Sequence, residues 1–507
     1  MRYFLPLGAE RISIAGDDAL RHVLLRNPYN FPKPLRVRKW MGRVLGNGVL
    51  LAEGNEHAHQ RKVLAPAFSL SSIRALTPIF WEKALLVGKY WDDEIKSSGA
   101  HQPGNGRSNG GCSKSIEVLD WLNRCTLDII GQAMFGYDID SLRQPETPLR
   151  QAYRLVFSFD MSSRILHVVN AFIPSSRYLP NKMNRDIEKS RDIILDKATD
   201  IIRSKYADAD GKKEKKVEDI KGKGYAAGAK EKVKDIVSLI AKASQKLEAK
   251  GETGLSFETM RDQIMTFLGA GHDTTAAGVA WTLHTLSKHP EVQSRLREEI
   301  RERMPILFNR HNDNDSDYDE NEWLSKIISA LASTDPDQLP YLHNVCRESL
   351  RYLPPIPLTV RQSVEADTFS GYHIPAGTPV YIFPSVVNRM SAYWGPTADV
   401  FDPDRWDQPV TIRTTSAPAA EAAVSIPPPN GRTTSNGSSS GFMTFLQGPR
   451  GCIGRKFAET EMKVLLCVML SAFEFSRDET RPDPEEGKLW RLVIRPKNGM
   501  NIKVTRI

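Results

Sequence analysis

Cysteine is scarce in this chain. Five cysteines in 507 residues, at 112, 125, 346, 452 and 467, are odd in number and widely spaced. They build neither a disulfide framework nor a C-x-x-C zinc pattern, and they point to a reducing compartment. Long apolar runs are missing as well: no stretch approaches the ~18 consecutive apolar residues of a membrane-spanning helix. The opening MRYFLPLGAERISIAG lacks the layout of a signal peptide and reads as strand, turn and strand. Neither sign of charge dominates, since 69 Lys+Arg oppose 61 Asp+Glu for a net +8. The basic residues lack the aromatic interleaving that grips nucleic acid, so no nucleic-acid partner is expected. A basic docking face for an acidic protein fits the charge better. Internal repeats are absent. What the chain has is length and 40% apolar residues, enough for one large domain or two to three ordinary ones.

The periodic segments are mostly helical. Residues 17–26 start with an acidic cap and run apolar at helical spacing, and 121–136 forms a second helix stopped by Gly136. The longest pattern spans 257–288 and ends before Pro290, where another helix begins. Strand text gathers at 359–382, as two short strands around a Gly-Tyr turn, and at the C-terminus, as a hairpin turning at Asn498-Gly499. The expected class is mainly α with small β-sheets. Residues 96–115, 205–234, 311–322 and 414–440 read as flexible, solvated insertions. Asp313, Asp315 and Asp317 alternate as in a calcium loop, but Tyr318 and Leu324 stand where that loop needs glycine and a carboxylate, so 311–322 is read as an acidic loop.

The most informative stretch is FLQGPRGCIGRKFAE, residues 445–459. Gly448, Gly451 and Gly454 allow backbone angles other residues resist, and helical periodicity starts at Lys456. Cys452 therefore sits in a tight loop feeding a helix N-terminus. Free amides there, with Arg450, Arg455 and Lys456 nearby, favour a thiolate, which is either a nucleophile or a metal ligand. A cysteine-phosphatase pattern would need arginine at 458, which is Ala458, and a papain-like signature is absent. The ligand reading needs partners elsewhere. Candidates are Asp273 and Thr274 within AGHDTT in the longest helix, the Glu348–Arg351 pair three apart on one helix face, and His57 and Arg61 four apart on another.

Phe445, Gly448, Arg450, Cys452 and Gly454 fall into F-x-x-G-x-R-x-C-x-G, which resembles the haem-binding loop of the cytochrome P-450 family. AGHDTT resembles the family's proton-delivery motif. ESLR (348–351) resembles its E-x-x-R, with Arg405 of FDPDRW in the place of the network's third member, and 54–68 resembles its propionate-binding helix. His57 departs from the family there, since many members carry tryptophan. The order of motifs matches along nearly the whole chain.

The resemblance implies one P-450 domain over 1–507, with haem b (iron protoporphyrin IX) between the long central helix and the Cys452 loop, and Cys452 as axial thiolate. It implies cofactor contacts from His57, Arg61, Arg361, Phe445, Gly448, Arg450, Cys452 and Gly454, and proton delivery by Asp273 and Thr274. A structural ion network of Glu348, Arg351 and Arg405 would hold the segment before the loop. Gly271 would allow a close approach to haem, while Ala270, Ile356, Leu358, Thr359 and Val360 would line the substrate cavity. The implied reaction inserts one oxygen atom of O2 into a lipophilic small molecule (a secondary metabolite, terpenoid or fatty acid) and releases the other as water. An NADPH-dependent flavoprotein reductase would supply electrons, docking on Arg450, Arg455, Lys456 and Lys463. Other haem-thiolate chemistry, isomerase or peroxide-driven, belongs to the same class. The family also implies a monomer with peripheral membrane contact on the cytoplasmic side of the endoplasmic reticulum. Microsomal members begin with an anchor, a hinge and a first helix, whereas this chain starts at what reads as the first strand, so an incomplete N-terminus is expected. The alternative is a haem-binding protein that no longer turns over, against which the intact Asp273-Thr274 pair argues.

Overall fold

The structure is a computed structural model that describes all residues except 5–9, 100–111, 158–180, 210–234, 309–319, 333, 408–409, 414–422, 427–440 and 490–491. Its helices are α1 (Asp17–Arg21), α2 (Leu35–Leu45), α3 (Gly54–Leu64), α4 (Leu70–Gly99), α5 (Val118–Phe135), α6 (Pro148–Phe157), α7 (Lys182–Ala209), α8 (Ile236–Glu248), α9 (Phe257–Lys288), α10 (Pro290–Arg303), α11 (Glu320–Ala332), α12 (Pro340–Tyr352), α13 (Pro384–Val387), α14 (Ser391–Trp394) and α15 (Arg455–Ala472). The strands are β1 (Arg2–Phe4), β2 (Glu10–Ile14), β3 (Ser113–Glu117), β4 (Thr359–Gln362), β5 (Asp367–Phe369), β6 (Tyr372–Ile374), β7 (Pro379–Ile382), β8 (Val410–Arg413), β9 (Ala423–Ile426), β10 (Phe473–Ser476), β11 (Lys488–Leu489), β12 (Arg495–Pro496) and β13 (Asn501–Arg506).

Helix α9 is the spine, packed along α5 and also against α7, α12 and α15. Its ends are chemically marked. The Ser256 side chain accepts from the Thr259 amide, Glu258 lies in the first turn, and Pro290 begins the next helix. Helix α5 stops as its sequence predicts: Gly136 takes φ +63° and its amide donates to Gln132 O, while Tyr137 N donates to Gly131 O. Large apolar side chains from α4, α5, α9, α15 and β10, including Trp81, Trp91, Phe80 and Phe473, form one core.

A second, smaller core under the β1-β2-β7-β4 sheet gathers Ile12, Leu24, Phe31, Val380 and Met443. Within that sheet β2 runs parallel to β7 and the other pairings are antiparallel. Met443 carries this core to the threshold of the Cys452 loop.

Some expectations need correction. The 359–382 stretch forms four strands, β4 to β7, with β5 and β6 as their own hairpin across Gly371. The predicted C-terminal hairpin is not formed across Asn498-Gly499. β11 instead pairs with β12, and β13 runs between β10 and β3. Alternation gives a strand its faces but not its partner, and β3 lies almost four hundred residues away in sequence. The Gly/Ser-rich stretch 96–115 has ordered ends, since α4 reaches Gly99 and β3 starts at Ser113. Strand β9, paired with β8, lies within 414–440. The remainder of 414–440, together with 210–234 and 311–319, lies outside the described residues.

Candidate haem and proton-delivery site

The Cys452 loop is held by its backbone. Cys452 N donates to Phe445 O at 2.8 Å, Gly451 N to Gly448 O at 2.9 Å and Leu446 N to Met443 O at 2.9 Å. Gly448 is required on two counts: its φ is +74°, and a Cβ there would lie 2.0 Å from Leu24 O. Gly454, the helix N-cap, has an ordinary φ of −85° and open space where a Cβ would point. The loop also holds Leu446 at φ +55°, a costly angle that a leucine adopts only when its surroundings demand it.

Cys452 is an exposed residue, unlike buried Cys125, Cys346 and Cys467. Yet enough protein surrounds it that desolvation raises the thiol, against the lowering effects of the Gly454 amide, Arg61 and Arg455. The loop by itself therefore does not favour the thiolate as its amides and cations suggested. A coordinated metal ionises such a thiol outright.

Four cations gather beside the loop, and two of them, Arg450 and Lys33, pair with one carboxylate, Glu53. Arg450 donates to Glu53 and to Pro28 O, and Lys33 Nζ lies 3.6 Å from Glu53. Arg61 donates to Gly451 O at 2.6 Å. Arg361, 1% exposed, donates to the neutral acceptors Thr359 Oγ1 and Val360 O. Burial and the neighbouring arginines push Lys33 down to about 7, while burial first and Arg450 and Lys33 next push His57 down to about 4. Positive charge crowded out of water calls for anions. The two carboxylates of a haem satisfy that need, so these residues fit the cofactor.

On α9, Ala270, Gly271 and Thr274 are partly accessible among buried neighbours, and their spacing places them on one face. Thr274 Oγ1 donates back to Ala270 O at 2.9 Å. Asp273 is 3% exposed and ion-paired with Arg495, a residue the motif search passed over. A Cβ on Gly271 would meet Ile130 Cδ1 at 2.6 Å, so that side-chain tip would have to shift to admit one. His272 is buried, bonded to Leu268 O and set edge-on to Tyr153.

The α12 pair is bidentate: Arg351 donates to Glu348 at 2.8 and 2.7 Å. Arg405 Nε and Asp402 N reach Glu348 Oε1, and Trp406 Nε1 reaches Oε2. Arg351 also donates to Asn388 O at 2.8 Å, and Asn388 in turn receives Met443 N and bonds Thr444. A continuous chain of contacts thus runs from Glu348 to the entrance of the Cys452 loop.

Ile356, Thr359 and Val360 are partly accessible and Leu358 is 39% exposed, leaving an apolar edge ahead of and along β4. Segment 493–495 ties this edge to α9. Ile494 N donates to Pro355 O, Trp281 Nε1 donates to Ile494 O, and Arg495 holds Asp273.

The expected docking cations divide. The Arg455 and Lys456 side chains are 42% and 53% exposed. Lys463 is 1% exposed and paired with Asp337, and Arg450 is turned inward to Glu53. Lys463 and Arg450 therefore do not belong to a surface patch. The signals sequence reasoning missed, Lys33, Glu53 and Arg495, are single charged residues in unremarkable local text.

The sequence model of the family described as Cytochrome P450 matches residues 5–504. The chain is 34% identical over 513 residues to the cytochrome P450 monooxygenase sphH of Aspergillus fumigatus, covering 100% of this chain and 81% of that protein. It is 34% identical over 523 residues to the cytochrome P450 monooxygenase FUM15 of Gibberella moniliformis, covering 100% and 81%. It is 31% identical over 528 residues to the cytochrome P450 monooxygenase ALT8 of Alternaria alternata, covering 99% and 82%. The long accessible-face helix, the cation cluster and the glycine-bound cysteine are thus found in a chain that matches one family from end to end. The chain belongs to the cytochrome P450 family and is a monooxygenase of that family, carrying haem b on an axial cysteine thiolate, Cys452.

Proposed function

We propose that the protein inserts one oxygen atom of O2 into a lipophilic small molecule, of secondary-metabolite, terpenoid or fatty-acid type, using electrons from an NADPH-dependent flavoprotein reductase. The observation that carries this reading is the accessible, partly apolar surface of Ala270, Ile356, Leu358, Thr359 and Val360 in a protein whose other large apolar side chains are mostly buried.

Haem, when bound, would supply oxygen activation, with the Cys452 thiolate donating electron density to its iron. The chain's own residues do the rest. Arg61, Arg361, Arg450 and Lys33, with neutral His57 as a hydrogen-bonding partner, hold the carboxylates of the cofactor. Phe445 packs at the loop, Gly448 lets the loop pass Leu24, and the Gly454 amide hydrogen-bonds the sulfur. Thr274 presents its hydroxyl at the accessible face of α9, where it donates to Ala270 O. Asp273 carries the proton that refills Thr274, and Arg495 holds the Asp273 carboxylate until it turns. Glu348, Arg351 and Arg405 hold the frame and touch nothing that reacts. Arg455 and Lys456 face the reductase. By family habit the protein works as a monomer with peripheral membrane contact at the cytoplasmic face of the endoplasmic reticulum; no single described helix is long and apolar enough to cross a membrane.

The test is incubation of holoenzyme, reductase and NADPH with lipophilic extracts of the source organism, reading masses raised by one oxygen. Reduced, carbon-monoxide-bound protein must show the red-shifted Soret band of a thiolate-ligated haem, lost in Cys452→Ser. Enzyme that shows this band yet oxidises only polar compounds would overturn the substrate class.

A further inference from the structure

A second cluster of ligating side chains lies far along α9 from Thr274. His284, on the last turns of α9, is 2% exposed, and its Nε2 has no hydrogen-bond partner. That nitrogen lies within ion-pair distance of Asp483 Oδ1, 3.4 Å away, and Glu485 Oε1, 3.5 Å away. Both acids sit in the loop between β10 and β11. These distances are too long for good hydrogen bonds. They are, however, close to the edges of a metal tetrahedron: Zn–N and Zn–O lengths of about 2.0–2.2 Å set ligand-to-ligand edges of about 3.3–3.6 Å. The three ligand atoms all lie within 4.8 Å of one another. The ring is fixed by Trp281, edge-on at 5.7 Å, and the carboxylate of Asp483 by the Glu485 amide, which donates to Oδ1 at 2.9 Å.

We propose that His284, Asp483 and Glu485 form a binding site for a divalent ion of the zinc type, which staples the β10–β11 loop to the end of α9. One imidazole nitrogen and two carboxylate oxygens suit zinc better than calcium or magnesium, which take all-oxygen sites. Lys288 is the built-in competitor. Its ammonium lies 2.7 Å from Asp483 Oδ2 and 2.9 Å from Glu485 Oε1. Lys488 lies 3.3 Å from Glu485 Oε2. Metal ligation through Oδ1 leaves the Oδ2 contact of Lys288 in place and displaces it from Glu485 alone. The Lys288 and Lys488 side chains are 29% and 24% exposed, so either ammonium has a route to water. The site is independent of the haem, since its residues share no contact with the Cys452 loop among those described above.

Zinc chloride titrated into chelator-treated holoenzyme tests this, read by calorimetry and by zinc content per chain. Cys112, an exposed thiol, is replaced by serine throughout. One zinc per chain is expected. His284→Asn and Glu485→Gln should each weaken binding at least tenfold, and Lys288→Met should tighten it, all with an unchanged carbon-monoxide spectrum. If one weakening variant fails to fold, the other decides. The proposal is overturned by absence of saturable one-to-one binding, by binding confined to Lys288→Met, or by a folded His284→Asn or Glu485→Gln that binds as tightly as wild type.

Discussion

Thr274 and Glu348 are both polar residues in buried helices, and their replacement should fail in opposite ways. Thr274 Oγ1 bonds its own helix and meets the accessible face, so Thr274→Ala removes no structural partner beyond Ala270 O. Haem content and reduction should persist while NADPH is consumed, hydrogen peroxide accumulates and product falls by about 10²–10⁴-fold, the usual range for a proton-transfer group. Full coupling of NADPH to product in that variant would move proton delivery to another group. His343 offers a prediction in pH. Burial first, then Lys463 and Arg347, push its imidazole down to about 3 from 6.5. The unfolded chain therefore takes up a proton at His343 that the folded chain refuses. Stability should fall as pH drops from about 6.5 toward 3, and His343→Gln should flatten that part of the curve. Urea unfolding at a series of pH values in this window reads it directly; equal slopes for both proteins would refute the assignment.

At the scale of elements, α12 and the Cys452 loop are joined through Asn388 and Met443. Glu348→Ala would strand Arg351, 0% exposed, and Arg405 beside it, a loss of about 3–5 kcal/mol when one partner of a buried pair is removed. The expected result is low haem incorporation and a depressed melting temperature before turnover can be assayed, and normal haem loading at normal yield would remove the network from its framing role. The E-x-x-R spacing was legible in sequence because three residues apart on a helix is one face. Its continuation through Asn388 was not, since a single asparagine bonding across 55 residues to Met443 N leaves no periodic trace. The same holds for Gly271. The motif pointed to haem, while the neighbour that a Cβ there would press on, Ile130 of α5, is a partner set by helix packing.

At the scale of the whole molecule, tertiary burial chooses which cations can meet a reductase. Arg455 and Lys456 remain at the surface, whereas Lys463, seven residues after Lys456, is enclosed and paired with Asp337. Lys456→Glu should raise the KM for reductase, most strongly at low ionic strength, with the carbon-monoxide spectrum unchanged. Lys463→Met should instead lower stability and leave the reductase KM alone. A reductase KM insensitive to Lys456→Glu at all salt concentrations would place docking elsewhere.

The local order of residues by itself determined helices such as α5 and α9, the Gly136 stop, the glycine-bound cysteine loop, the acid–alcohol motif and hence the family, because each of these is a short-range pattern with a backbone or helical-face cause. Only the tertiary structure decided that Arg495 restrains Asp273, that Lys33 and Glu53 join the cation cluster, that β13 pairs with β3, and that Arg450 and Lys463 face inward. These depend on segments brought together from separate parts of the chain. The physical reason is that burial and ion pairing act through space, whereas a sequence records only neighbours along the chain.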